Sequence, residues 1–171
     1  MGKKKVLAYG FGEQEKALLE AMASVGVETR LVKAEELELT IGALLSGEGP
    51  ASCGVSEDPA VLVFSNVSRE ELEPVLRAIR EAGITALKAM ETPTNRTWPL
   101  KKLMGELAEE HRTMSALMDL KRVRDSVTPN LLDPACMGAL ARADALLKGQ
   151  AEPTVTAIME ARMALERYRG N

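Results

Sequence analysis

The run Ala60-Val61-Leu62-Val63-Phe64 constrains the fold of this chain more than any other stretch. An unbroken apolar run with Val61, Val63 and Phe64 suits a pleated strand, and the lack of polar alternation means that both faces are covered. A strand buried on both sides needs helices above and below it, and the flanking sequence supplies them. Ser68 opens a helix with Glu71 three residues on, a capping box that satisfies two backbone donors otherwise left without partners. Leu72, Val75, Leu76 and Ile79 form its apolar stripe, Gly83 ends it, and Ile84 to Met90 reads as the next strand.

The residues before this run repeat the alternation. Residues 4–9 read as a strand ending at Gly10-Phe11-Gly12. Leu18, Met22 and Val25 then share a helical face that stops at Gly26. Glu28 to Val32 gives another strand, Thr40 caps a short helix over Ile41 to Leu45, and the Gly/Ser/Pro-rich stretch Ser46 to Pro59 reads as a surface loop. Strand and helix in alternation predict an α/β fold with parallel strands joined by right-handed crossovers. The expected arrangement is a small doubly wound sheet, flavodoxin- or receiver-like, in order 2-1-3-4. A ferredoxin-like α+β arrangement is the alternative, because residues 40–59 are not a firm helix.

From about Pro99 onward the pattern is helical throughout. Leu100, Leu103, Met104, Leu107, Met114, Leu117 and Met118 recur at helical spacing to about residue 126. Helices over 133–148 and 153–169 follow, with Asp133 and Pro153 as starts and Gly149 as a stop. The expected organisation is an α/β domain over 1–99 and a helical extension over 100–171. That extension either packs on the domain or mediates dimerisation, since each amphipathic helix must bury its stripe somewhere.

Composition narrows the partners. Aromatics are 3% of residues, too few to stack single-stranded nucleic acid, and a net charge of −3 gives no basic field for a phosphate backbone. No apolar run at the N-terminus is long enough for a signal peptide or membrane span, so a cytoplasmic protein is expected. The two cysteines, Cys53 and Cys136, fit reduced thiols. No metal-ligand spacing occurs, and no cofactor is expected. The one histidine, His111, sits in register with the long helix's apolar positions, which favours a packed or partly exposed helix residue over a catalytic base.

In an open parallel sheet, ligands bind beyond the carboxyl ends of the strands where the winding reverses. In order 2-1-3-4 that point lies between strands one and three. The loops delivered there carry Gly10 and Gly12, Ser65 and Asn66, and the polar turn Thr92-Pro93-Thr94-Asn95-Arg96-Thr97-Trp98, with Lys88 on the strand behind it. Gly10-Phe11-Gly12 is half a dinucleotide fingerprint without its third glycine, and Glu13 puts a negative charge where phosphate would sit. Ser65 and Asn66 stand where a receiver domain needs an aspartate nucleophile, so a receiver-like fold here excludes aspartyl phosphorylation. In the polar turn, proline geometry, helix capping by Thr94 or Thr97, and Pro99 in the first helical turn account for several residues. Trp98 suits a lid on the core. Asn95 and Arg96 are left less well explained. The candidate ligand-binding set is therefore Gly10, Gly12, Ser65, Asn66, Lys88, Thr92, Thr94, Asn95 and Trp98, with no catalytic residue assigned.

The segments "VLVFSNVSREELEPVLRAIREAGI" and "LKAMETPTNRTWPLKKLMGELAEEH" resemble a bacterial family of uncharacterised small proteins, a domain of unknown function. The resemblance rests on Phe64, Ser65, Leu87, Lys88, Ala89, Thr92, Pro93, Thr94, Asn95 and Trp98, and extends over about residues 4–112. It implies no activity and no catalytic set. The expected function is a non-enzymatic module that binds an anionic small molecule or a protein through the strand-end polar site. The alternatives are an enzyme acting on a phosphorylated or nucleotide-like molecule through Lys88 or Ser65, and an oligomeric scaffold, such as a homodimer, built on the C-terminal helices.

Overall fold

The computed structural model describes residues 2–47 and 59–169, so Cys53 and most of the expected Ser46–Pro59 loop lie outside the described residues. The chain divides into two compact units, Met1–Ala108 and Glu109–Asn171. The first holds β1 (Lys5–Tyr9), α1 (Glu15–Ser24), β2 (Glu28–Leu31), α2 (Ile41–Ser46), β3 (Val61–Ser65), α3 (Arg69–Glu81) and β4 (Leu87–Met90). Helix α4 (Leu100–Asp125) begins there and ends in the second unit, which adds α5 (Pro134–Leu147) and α6 (Val155–Glu166). The division falls inside α4 rather than at residue 99, because Leu100, Leu103 and Met104 are buried in the core of the first unit. No helix among the described residues is long and apolar enough to cross a membrane.

The strand order is β2-β1-β3-β4, as the alternation predicts. The all-parallel sheet is not formed. β1 runs parallel to β2 and β3 parallel to β4, but the central pair β1/β3 is antiparallel, with Lys5 opposite Ser65 and Tyr9 opposite Val61. The path of the chain explains the reversal. It leaves α2 beside the start of β1, where Lys5 Nζ donates to Leu45 O at 3.0 Å, yet re-enters the sheet opposite the end of β1. A single crossover helix would have returned it at the first position. The parallel β1/β2 pairing also rules out the ferredoxin-like alternative.

Both faces of the sheet are covered, as the β3 run requires. Val6, Ala8, Leu62 and Phe64 pack with Leu18 and Met22 of α1 and Val75 and Ile79 of α3. Leu7, Tyr9, Val61 and Val63 pack on the other face with Ile41 and Leu44 of α2 and the first turns of α4. Thr40 and Ser68 cap α2 and α3, accepting from Ala43 N and Glu71 N. Ile84 is buried, but its segment joins the sheet only at Leu87.

The antiparallel centre makes the first unit a pair of related halves, each reading strand, helix, strand, helix. Leu7 faces Val63 in the central pair, and the same turn chemistry follows on each side. Gly10 and Asn66 both adopt positive φ after the inner strand, at 84° and 57°. Val27 N donates to Met22 O as Ile84 N donates to Ile79 O. Val32 N donates to Ala8 O as Glu91 N donates to Phe64 O. The halves meet again where Thr40 bridges Pro99: Ile41 N donates to Trp98 O at 3.0 Å and Leu100 N to Leu39 O at 3.1 Å. These reciprocal bonds mark a local two-fold axis through Leu7/Val63 and Thr40/Pro99.

In the second unit, Leu120 and Val123 of α4 pack with Leu140, Ala143 and Leu146 of α5 and Ile158, Ala161 and Leu165 of α6. Asp133 caps α5 by accepting from Ala135 N and Cys136 N, and Thr154, rather than Pro153, caps α6. Arg124 fixes α4 to α5 with two bonds to the Asp144 carboxylate, at 2.7 and 3.2 Å.

Candidate functional site

The polar turn after β4 is held by its own side chains. Asn95, buried, accepts from Thr92 N at 2.8 Å through Oδ1 and donates from Nδ2 to Met90 O at 2.9 Å. Its backbone N–H donates to Thr92 Oγ1 at 3.1 Å. Thr97 Oγ1 donates to Thr94 O, and Arg96 pairs with Glu91 at 2.8 Å. Trp98 is half-buried against the α4-side core, with the Lys102 ammonium 4.0 Å from its ring centre. The other half shows the same joint in different residues. Glu36 Oε2 accepts from Lys33 N as Asn95 Oδ1 accepts from Thr92 N, and Arg30 reaches Leu31 O as Asn95 Nδ2 reaches Met90 O.

The sheet brings together only part of the sequence-predicted set. Because β3 and β4 are parallel, Ser65 and Asn66 share one end of the sheet with Thr92, Thr94, Asn95 and Trp98. Gly10 and Gly12 follow β1 at the opposite end, next to Val61, so the convergence expected from a parallel sheet does not occur. Lys88 lies within β4 beside Leu62, on the sheet face opposite Ser65. It is exposed, and its Nζ donates to Ala86 O at 2.9 Å. Ser65 is buried opposite Lys5, and Asn66 Nδ2 donates to Lys3 O at 3.2 Å. His111 is exposed and Cys136 is buried. Among the described residues no cluster of His, Cys, Asp and Glu is arranged to hold a metal ion.

A cleft lies elsewhere on the first unit, under the start of α4. It encloses about 350 Å³ and is lined by Leu37, Pro59, Val61, Leu87, Lys101, Met104, Gly105 and Ala108. That volume falls at the lower end of the range for small-molecule sites, and the lining is apolar apart from one cation. Lys101 stands at this cation's place, paired with Glu38 at 2.9 Å; the hydrogen bond and charge of that carboxylate raise its pKa.

The local two-fold shows why the space is open. Across the axis, Lys5 and Glu28 stand where Val61 and Leu87 line the cleft, Leu45 and Ser46 correspond to Met104 and Gly105, and Gly42 and Arg96 correspond to Lys101 and Leu37. There the space is filled. Lys5 reaches across to Leu45 O, Lys3 and Lys5 both pair with Glu28, and Arg96 packs so closely on Gly42 that a Cβ would lie 3.1 Å from its Cγ. In the second half short apolar side chains replace those charged ones. Gly105 adds to the opening, since a Cβ there would meet nothing within 4 Å among the described residues. Glycine inside a long helix costs about 1 kcal/mol relative to alanine, and here no close neighbour requires it. The sequence carried one signal for this site, the glycine in "KKLMGELAEEH".

Residues 60–114 match a domain of unknown function, DUF3783. No curated protein and no solved structure matches the chain. The matched span supports the resemblance to an uncharacterised domain family. It begins at β3 and so covers the second of the two related halves, including the cleft residues Val61, Leu87, Lys101, Met104, Gly105 and Ala108.

Proposed function

We propose that this protein is a non-enzymatic, cytoplasmic binding module that holds a small, mainly apolar ligand in the cleft beneath the start of α4. The reading keeps the binding role expected from the sequence and moves its centre from the strand-end turn to the cleft. One observation carries it: the fold closes the equivalent space in its first half with charged side chains and leaves it open and apolar in its second. A helix glycine that no packing demands widens the same opening. The polar turn takes a supporting role, because Asn95 spends its side-chain hydrogen bonds on Thr92 N and Met90 O, within the turn that follows β4.

The test is displacement of an environment-sensitive apolar fluorophore from the intact chain, comparing the natural protein with Gly105→Leu. Binding to the natural chain that Gly105→Leu abolishes, with melting temperature maintained, supports the cleft. Equal binding by both chains removes it as the site.

A second reading rests on the second unit. Met118, Leu131, Leu132 and Met163 are exposed, Leu132 at 94%, and Leu131 borders a hollow of about 530 Å³ beside Asn130, Arg167 and Tyr168. Large apolar side chains left in water favour a protein partner, including a second copy of the chain. Sedimentation over a wide concentration range tests the homodimer. A monomer at every concentration would leave only a foreign partner for these side chains.

A further inference from the structure

We propose that the cleft takes a free straight-chain carboxylate, its aliphatic tail under α4 and its head on Lys101 in place of Glu38. This rests on the binding reading above and specifies the ligand. The fold itself shows both parts of the recognition. Across the local axis the equivalent space is crossed by the Lys5 side chain, an extended aliphatic stem that runs from β1 to Leu45 O of α2. A linear chain is thus what this architecture accommodates between an inner strand and the helix above it. In the second half Val61 is too short to make that crossing, and Met104 and Gly105 leave its path empty.

The head follows from Lys101. It is the one charged side chain lining the cleft among the described residues, and it already binds a carboxylate, Glu38, at 2.9 Å. Both partners of that pair are largely exposed, so the pair is weakly held and open to exchange. A ligand carboxylate arriving with its tail in the cleft gains apolar burial that Glu38 does not offer. One lysine matches one negative charge, which favours a carboxylate over a more highly charged phosphate monoester.

Calorimetry on the full chain with straight-chain carboxylates from hexanoate to dodecanoate, beside the matching alcohols and amines, tests this. Affinity should rise about fourfold per methylene until the cleft is full, following the transfer free energy of a buried methylene. Carboxylates should bind about two- to fivefold more tightly than alcohols of equal length, the worth of an exposed ion pair, and amines least. Lys101→Met should abolish the advantage of acid over alcohol of equal length. Glu38→Gln, which frees Lys101, should tighten carboxylate binding. Equal affinity for acids and alcohols, or an acid preference that survives Lys101→Met, overturns the assignment of the ligand while leaving the cleft as a binding site. If no chain of any head group binds, and Gly105→Leu changes nothing, the cleft reading itself falls.

Discussion

Thr92 and Asn95 hold each other: Thr92 N donates to Asn95 Oδ1, and Asn95 N donates back to Thr92 Oγ1. The same amide donates to Met90 O, so one buried side chain satisfies polar groups that the end of β4 leaves without strand partners. Asn95→Ala strands Thr92 N and Met90 O in a half-buried turn. The expected loss is about 2–4 kcal/mol of folding stability, read from chemical denaturation. Asn95→Asp keeps the acceptor but sets a carboxylate against Met90 O, and should also destabilise. Ligand affinity measured on whatever fraction remains folded should be unchanged, because Asn95 does not line the cleft.

The other half makes its joint with an ion pair, and the energetics differ. Arg30 is 8% exposed and donates to Glu36 at 2.9 Å, while its Nε is buried without a hydrogen-bond partner among the described residues. Glu36→Ala leaves a buried guanidinium without its counter-charge, and should cost about 3 kcal/mol. Arg30→Met removes the charge together with its unpartnered nitrogen and keeps much of the volume. It should fall within about 1 kcal/mol of the natural chain. Denaturation midpoints of the two variants decide it, and the expected order is that loss of the acid costs more than loss of the base.

How much of this was legible follows from what each residue reveals locally. The continuous burial of Val61–Phe64 could be read directly, because covering both faces of a strand is written into its composition. Its direction could not, since the same run suits a parallel or an antiparallel centre, and the decision lies in where the chain re-enters after α2. That one reversal separated Gly10 and Gly12 from Ser65 and Asn66. Asn95 was visible as an excess of polarity, but the sequence does not show that Met90 O and Thr92 N await it. The cleft was harder still, for it consists of what Val61, Leu87 and Gly105 fail to fill. Only comparison with Lys5, Glu28 and Ser46 across the axis exposes it, and the two halves share too few side chains for that comparison from sequence.

Acid should weaken both units through depressed carboxylates. Lys4 and the Ser68 cap hold Glu71 at a pKa of about 2, below its ordinary 4.5. Arg124 likewise lowers Asp144 in the second unit, and Arg30 lowers Glu36. A folded-state pKa below the unfolded value means the contribution is complete above the unfolded value and lost as pH falls through the folded one. For Glu71 the loss runs from about pH 4.5 down to about 2. Denaturation midpoints should hold level from neutral pH to about 5 and then drop. Glu71→Gln and Asp144→Asn should each flatten that drop, and a slope unchanged in both variants would contradict the assignment.

Gly42 and Gly105 should respond oppositely to the same substitution. Each lies inside a helix at ordinary φ, so alanine gains about 0.5–1 kcal/mol of helix propensity at either position. At Gly105 nothing opposes the gain, and Gly105→Ala should stabilise the chain by about that amount. At Gly42 the new methyl meets Arg96 Cγ at 3.1 Å and Arg96 O at 3.2 Å. The second of these is backbone and is fixed by the turn that Asn95 holds. The crowding should offset the propensity or exceed it, leaving Gly42→Ala neutral to about 1 kcal/mol destabilised. Thermal and chemical denaturation of the two variants read the difference directly. A stabilised Gly105→Ala that also weakens binding of a cleft ligand would show that the helix keeps its glycine for the space above it rather than for its own backbone.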